Sequence, residues 1–78
     1  MAVLRLFASA REAAGTGSEV IDGDTVGDVL DHAVLRYGPA FDQVLRTCRV
    51  WVNGEAADRV APVSSTDEVA VLPPVSGG

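Results

Sequence analysis

Lysine is missing from this chain altogether. All six basic residues among the 78 are arginines, and they stand against eleven acidic residues, for a net charge of −5. A chain with this excess of negative charge has no long-range attraction for nucleic acid or for an anionic membrane. Without lysine it also offers no side-chain amine to which another protein's carboxyl terminus could be joined. We therefore expect neither a nucleic acid partner nor a membrane partner.

Cysteine and histidine are almost as scarce, with Cys48 and His32 the single examples of each. One cysteine cannot form an internal disulfide, which favours a reducing compartment. We predict that His32 lies on the solvent face of a helix, so Cys48 has no base beside it and is predicted to be a small apolar strand residue. No Ser-His-Asp set, phosphate-binding glycine loop or cluster of metal ligands can be assembled. The chain is therefore expected to bind no metal or cofactor and to be no enzyme on its own.

Long apolar runs are also lacking, and none is long enough to span a bilayer. The start of the chain, Met-Ala-Val-Leu-Arg, has neither the basic residues nor the apolar core of a signal peptide, so we expect a cytoplasmic protein. A hydrophobic content of 47% is ordinary for a globular protein. The length fits one small domain of modest stability, which we place over residues 1–72.

Apolar spacing predicts a two-layer α+β domain in which one main helix packs on one sheet. Asn53-Gly54 predicts a hairpin, because both residues tolerate a positive φ. The predicted strands cover residues 2–8, 18–22, 49–53, 55–61 and 68–72.

Three stretches show helical spacing. The main helix begins at Thr25, where Asp28 completes a cap, and ends at Gly38-Pro39. Its apolar stripe consists of Val26, Val29, Leu30, Ala33, Val34 and Tyr37. Ser9 and Glu12 have the spacing of a capping box and predict a single helical turn that stops at Gly15. A short helical pattern at Phe41, Val44 and Leu45 is expected to cover one end of the core.

Strand alternation sorts the side chains into two faces. The inward set is predicted to include Leu4, Leu6, Ala8, Val50, Val52, Val69 and Val71. This leaves Phe7, Trp51 and Leu72 on the outer face, rimmed by arginine, and such an exposed apolar patch is typical of a protein interface. The alternatives are that Trp51 fills an irregular core or that the end of the chain folds back over it.

The last six residues form an uncharged tail: Pro73, Pro74, Val75, Ser76, Gly77 and Gly78. Its prolines stiffen the base, and at about 3.1 Å per residue the terminal carboxylate would project roughly 15 to 20 Å beyond the last strand. Gly77 and Gly78 lack a Cβ, so this end could enter a narrow channel. The alternative is an ordinary frayed terminus.

Three parts of the chain resemble the small subunit of molybdopterin synthase, the MoaD family. They are Leu6-Phe7-Ala8 with Arg11-Glu12 and Gly15, the turn Val52-Asn53-Gly54, and Asp67-Glu68-Val69-Ala70 through the tail to Gly78. The resemblance spans the whole chain and implies a ubiquitin-like β-grasp with one mixed sheet of four to five strands against one main helix. It departs from the family at Thr66, where the family usually has glycine before the last strand.

The resemblance implies a sulfur carrier. A ubiquitin-activating-type adenylyltransferase would use ATP to adenylate Gly78, and a sulfur donor system would convert it to a thiocarboxylate. The tail would then enter the large synthase subunit, with which the chain is expected to form a heterotetramer, and give its sulfur to a cyclic pyranopterin phosphate. Gly77 would share the reactive end with Gly78. The expected partner contacts are Phe7, Arg11, Trp51, Leu72, Pro73, Pro74, Val75 and Ser76.

Three other functions stay open. A sulfur carrier for thiazole, cysteine or tRNA thiolation would carry the same thiocarboxylate to another acceptor. A ubiquitin-like modifier would join Gly78 to lysines of other proteins. A plain interaction domain would have an inert tail.

Overall fold

A single mixed sheet of five strands forms one layer of the domain in the computed structural model, which describes residues 2–74. The strands are β1 (Ala2–Leu6), β2 (Ser18–Ile21), β3 (Arg49–Val52), β4 (Glu55–Ala56) and β5 (Glu68–Leu72). They lie in the order β2-β1-β5-β3-β4. The central pair, β1 and β5, is parallel, and the other neighbours are antiparallel. Both central strands therefore end at the same edge of the sheet.

The main helix, α2 (Val26–Tyr37), begins where the sequence predicted. The Asp28 N–H donates to the Thr25 hydroxyl at 3.2 Å, and the Asp28 carboxylate accepts from the Asp24 N–H at 3.2 Å. The cap is thus confirmed, although its return bond reaches one residue further back than in a capping box. The predicted stripe is confirmed too, with Val34 and Tyr37 half-buried at its end. The Gly38 N–H closes the helix on the Val34 carbonyl at 2.9 Å.

Helix α1 (Ala8–Ala14) is longer than the single turn that was predicted, and its predicted capping box is wrong. Phe7 keeps an extended backbone and accepts bonds from the Ala10 and Arg11 N–H groups. The helix therefore starts before Ser9 and has no side-chain cap. Ala8, expected on the inward face of the first strand, is instead exposed as the first helical residue. The predicted stop is confirmed by Gly15, whose φ is 78°.

Helix α3 (Pro39–Leu45) fills one end of the core, as its short helical pattern predicted. Proline suits the first helical position, because the N–H that it lacks would have no partner there. Phe41 is completely buried and meets the Tyr37 ring edge-on, with 5.1 Å between ring centroids.

The hairpin after β3 is confirmed, with φ values of 51° at Asn53 and 85° at Gly54. The return strand predicted within residues 55–61 is present but short, because β4 ends at Ala56. Residues 57–63 leave the sheet and supply carbonyl groups to the first turn of α2, which has N–H groups without partners inside the helix. The Val26 N–H donates to the Ala61 carbonyl at 2.9 Å, and the Gly27 N–H donates to the Arg59 carbonyl at 2.8 Å.

The core lies between α2 and one face of the sheet. Its fully buried apolar residues are Ala2, Leu4, Leu6, Ala10, Ile21, Val26, Val29, Leu30, Ala33, Phe41, Val69 and Val71. Val50 and Val52 pack against them half-buried, so apart from Ala8 the inward assignments are confirmed. The sheet order, the parallel central pair and the helix across one face together form the ubiquitin-like β-grasp that was predicted.

Strand β5 ends at Leu72, and Pro73 and Pro74 follow without regular structure. Val75, Ser76, Gly77 and Gly78 lie outside the described residues, so the extended tail and the domain boundary at residue 72 stay predictions. Within residues 2–74 no helix is long and apolar enough to cross a membrane.

Candidate functional site

The sheet has one face without a helix layer, and its side chains fall into rows that follow from the strand register. Arg5 of β1 and Trp51 of β3 both pair with Ala70 of β5. Residues directly opposite one another in a sheet project to the same side, so these three form a row across its centre. We call this surface the outer face and define it by Phe7, Leu72 and Arg49 together with that row.

A second row lies at the edge where β1 and β5 end. Leu72 pairs with Arg49, and Phe7 follows Leu6 just as Leu72 follows its partner Val71. Phe7 and Leu72 are 40% and 37% exposed, which is unusual for large apolar groups so close together. The structure therefore brings two predicted contact residues together at the point where the chain leaves the sheet for the tail.

Trp51 lies one row further in and is half-buried. Its neighbours across β5 and β4 are Ala70 and Ala56, whose small side chains leave the indole ring open to the outer face. Trp51 is not among the half-buried residues that pack against the core. The alternative that it fills an irregular core is therefore wrong.

Arg5 is held in place within this face. Its guanidinium lies 3.4 Å from the Glu68 carboxylate and 5.9 Å from the centroid of the Phe7 ring. Both members of the ion pair are about half exposed, and exposed pairs of this kind are worth roughly 0 to 1 kcal/mol. The contact with the Phe7 ring also adds little to the stability of the fold, because a cation over an aromatic face is worth only about 0.5 to 1 kcal/mol at exposed sites.

Arg11 is an exposed residue of α1, four residues after Phe7. No ion pair joins it to Glu12 or to another carboxylate within residues 2–74. Its side chain runs along Gly17, where an added Cβ would come within 3.3 Å of the guanidinium Nε. Of the tail residues, Pro73 is half-buried and Pro74 is exposed, while the predicted site residues Val75, Ser76, Gly77 and Gly78 lie outside the described part of the chain.

Two groups with shifted pKa values lie away from the outer face. The hydrogen bond from Tyr37, and then that from Arg36, hold the pKa of Glu19 below its usual value, and these bonds link β2 to the end of α2. Burial first, and then the bond to Glu19, raises the pKa of Tyr37. Neither group reaches the tail edge, so we assign the cluster a structural role.

Cys48 and His32 also have structural partners. Cys48 precedes β3 by one residue, so its prediction as a strand residue is wrong, and its thiol donates to the Val44 carbonyl at 3.2 Å. Burial raises the pKa of this thiol, which makes it a poor nucleophile. His32 is exposed, as predicted, and its Nδ1 lies 2.5 Å from the Asp22 carbonyl. A carbonyl can only accept, so Nδ1 carries the proton.

The departure at Thr66 does not disturb the turn before β5. The Asp67 N–H donates to the Ser64 carbonyl at 3.0 Å, and the Ser64 N–H donates back to the Asp67 carboxylate at 2.8 Å. Among the described residues other than glycine, Ala8 and Asn53 alone have positive φ. The turn therefore closes without a residue in the left-handed conformation at position 66.

Fold and site together define a class of protein: a small β-grasp domain whose last strand leads into Pro73 and Pro74 at the edge of an exposed sheet face. The chain belongs to the ThiS family, whose family model matches residues 4–78. The resemblance to molybdopterin synthase small subunits is thereby confirmed at the level of the family.

Two curated relatives match nearly end to end. The chain is 37% identical to the molybdopterin synthase sulfur carrier subunit of Chlamydomonas reinhardtii, over 92% of each chain. It is 38% identical to small archaeal modifier protein 1 of Haloferax volcanii, over 95% of this chain and 97% of the relative. The solution structure of small archaeal modifier protein 1 from Methanosarcina acetivorans superposes with a TM-score of 0.88 at 30% identity, covering 99% of this chain and 95% of that one.

Proposed function

We propose that this chain is the sulfur-carrier subunit of a molybdopterin synthase. The observation that carries the proposal is the match to the family over residues 4–78, which includes Gly77 and Gly78, combined with 37% identity to a named sulfur carrier subunit. The outer face supports it, because Phe7 and Leu72 place exposed apolar surface beside the start of the tail.

The chemistry would take place at the Gly78 carboxylate, since a carboxylate resists nucleophiles until it is activated. An oxygen of that carboxylate attacks the α-phosphorus of ATP on the activating enzyme and releases pyrophosphate. Hydrosulfide supplied by the donor system then displaces AMP from the acyl adenylate and leaves a thiocarboxylate, with no change in the oxidation state of the sulfur. In the large subunit the sulfur passes to the cyclic pyranopterin phosphate, and water supplies the oxygen that restores the carboxylate.

In this proposal the chain itself binds the partner proteins and delivers the sulfur to them. Its outer face would dock first on the adenylyltransferase and then on the large subunit, in a heterotetramer, while Gly77 and Gly78 enter each active site in turn. ATP, the acid and base groups and the pterin pocket would belong to the partners, and the chain would bind no cofactor of its own. We place these steps in the cytoplasm, where a single free thiol such as Cys48 stays reduced.

A protein-modifying function is the second candidate, and the similarity to small archaeal modifier protein 1 of Haloferax volcanii favours it. The Gly78 acyl group of the same adenylate would then pass to lysine amines of other proteins, forming an amide bond and releasing AMP. Because the chain has no lysine, copies could not be linked to one another through side chains. Any adduct would therefore carry a single copy at each lysine.

The test is the intact mass of the untagged protein isolated from its native host. We expect a fraction that is heavier by the exchange of one oxygen for sulfur, and we expect it to disappear in a host that lacks the activating enzyme. Incubation of this fraction with the large subunit and the cyclic pterin phosphate should return the carboxylate form. A lysine-linked adduct without thiocarboxylate would favour the modifier, and an unmodified carboxylate under all conditions would contradict both functions.

A further inference from the structure

Four of the six arginines are paired with carboxylates of this chain. The pairs are Arg5 with Glu68, Arg36 with Glu19, Arg46 with Asp42, and Arg59 with Asp31. Within residues 2–74, Arg11 and Arg49 have no such partner. An unpaired cation is notable on a chain whose net charge is −5, because acidic groups are plentiful on its surface.

Arg49 occupies a particular place on the outer face. It is exposed and opens β3, it shares a face with Trp51 two residues on, and it stands directly opposite Leu72. Leu72 is the last strand residue before the tail. Among residues 2–74, Arg49 is thus the charged group in the row that Phe7 and Leu72 form at the tail edge.

A partner protein that covers this row would bury both apolar and charged side chains, and the free energies of the two kinds of burial have opposite signs. Burial of Phe7 and Leu72 is favourable, since apolar surface leaves water. Burial of Arg49 without an anion is costly, because a desolvated charge must be paired and hydrogen-bonded. The neighbouring Arg5 and Glu68 already neutralise each other, so they neither relieve Arg49 nor require a partner themselves.

The tail length shows which anion can reach Arg49. A tail extended as predicted moves the Gly78 carboxylate roughly 15 to 20 Å away from Leu72, and Arg49 lies at the base of that tail. The phosphate of a substrate held at the reacting end is therefore out of range. An acidic side chain on the surface of the partner protein can lie within range of Arg49.

We propose that Arg49 is a specificity-determining residue that binds an Asp or Glu carboxylate of the large subunit where the tail enters it. The inference rests on the proposed function and adds the kind of partner surface that the outer face fits: apolar opposite Phe7 and Leu72, acidic opposite Arg49. A guanidinium can hold both oxygens of a carboxylate at once, so the contact fixes orientation as well as charge.

The experiment measures the affinity of the full chain for the large subunit from the same organism by titration calorimetry at low and high salt. Arg49→Glu should weaken binding about tenfold or more, because it places two carboxylates together, and Arg49→Gln should weaken it less. Arg46→Glu is the matched control, since Arg46 is 75% exposed, belongs to the helix layer and already has Asp42 as partner. We expect it to change affinity less than about twofold.

A charge exchange identifies the partner group. Each acidic residue of the large subunit that faces the docked domain is changed to arginine, and one such variant should restore binding to Arg49→Glu while weakening binding to the parent chain. Unchanged affinity in Arg49→Glu, or failure of every exchange to restore it, would overturn the inference alone. If the parent chain itself does not bind the large subunit, that result contradicts both the proposed function and this inference. Circular dichroism melting shows that each variant is folded.

Discussion

At the scale of single residues, Arg11 shows how little the local sequence says about a charged side chain. The guanidinium extends along Gly17, forms no ion pair with its neighbour Glu12 and reaches no other carboxylate in the described part of the chain. The Arg11 side chain can lie there because Gly17 has no side chain, and the contact joins α1 to the loop before β2. Its donors are consequently available to a partner that covers the adjacent Phe7.

We predict that Arg11→Lys lowers affinity for the large subunit or the activating enzyme without changing the melting temperature. Lysine keeps the positive charge but lacks the planar set of N–H donors of the guanidinium. The substitution therefore tests the hydrogen-bond geometry separately from the charge. Titration calorimetry against each partner measures the effect, and Arg46→Lys is the control with the same chemical change at a paired, exposed site. Unchanged binding to both partners would remove Arg11 from the site.

At the scale of elements, the Asn53 side chain joins the β3–β4 hairpin to the start of β5. Its amide nitrogen donates to the Asp67 carboxylate at 2.9 Å, and its oxygen accepts from the Glu68 N–H at 2.9 Å. The bond from Asn53, and then that from the Ser64 N–H, hold the pKa of Asp67 below its usual value. The ionised form of Asp67 therefore stabilises the fold.

We predict that Asn53→Gly makes the fold less sensitive to acid while lowering its stability near neutral pH. Glycine keeps the positive φ of this position, so mainly the side-chain bonds are lost. A lowered pKa contributes stability above the unfolded value of about 3.9, and that contribution disappears as pH falls through the folded value. The difference in unfolding free energy between parent and variant should therefore shrink below about pH 4.

Urea unfolding at a series of pH values measures this difference, and the NMR titration of Asp67 should show a higher pKa in the variant. Glu19 keeps its own lowered pKa in both proteins, so its contribution cancels in the comparison. A difference in stability that stays constant from neutral to acidic pH would contradict the assigned role of Asn53.

The two faces of the sheet should respond differently to truncation. Leu6→Ala, at a side chain only 2% exposed, should cost about 2 to 5 kcal/mol of unfolding free energy through lost burial and a cavity. Trp51→Ala, Phe7→Ala and Leu72→Ala should instead weaken binding to the large subunit, by about 2 kcal/mol or more at a central anchor. Thermal melting and calorimetry on the same four variants separate the effects. If the three outer-face variants unfold the free chain and leave affinity unchanged, the assignment of faces is wrong.

At the scale of the whole molecule, the sequence predicted the features that depend on the spacing of apolar residues along the chain. It did not predict the features that depend on contacts between distant residues. The apolar stripe of α2 and the alternation in β5 follow from spacing along the chain, and both are confirmed. The path of residues 57–63 cannot be predicted from such spacing. It is determined by hydrogen bonds to N–H groups of α2 and by the ion pair of Arg59 with Asp31.

The same distinction applies to the site. Strand alternation correctly placed Phe7, Trp51 and Leu72 on one face. Phe7 and Leu72 are neighbours at the tail edge because β1 pairs in parallel with β5. This pairing joins strands that are far apart in the sequence, and the residue pattern of neither strand predicts it. The resemblance implied a mixed sheet, but neither it nor the spacing along the chain predicted that these two residues would be neighbours.

The last prediction concerns the tail as a part separate from the domain. We expect that deletion of Gly78, or addition of any residue after it, abolishes molybdenum cofactor synthesis and leaves the melting temperature unchanged. The reason for the first effect is that the proposed reactive group is the terminal carboxylate. The reason for the second is that the buried core found among residues 2–74 lies between Ala2 and Val71, before the tail begins.

Replacement of Gly77 tests the passage into the partner's active site. Gly77→Val adds a branched side chain at a position argued to pass through a narrow channel, so it should block cofactor synthesis although the carboxylate is intact. Ala40→Val is the matched control, since it adds a branched side chain at an exposed position of α3, away from the tail and the outer face. Complementation of a host that lacks this gene gives the readout, and intact mass confirms that no variant is trimmed. Full cofactor synthesis by an untrimmed chain with an added residue would show that the free carboxylate is not the reactive group, because an amide at Gly78 cannot be adenylated.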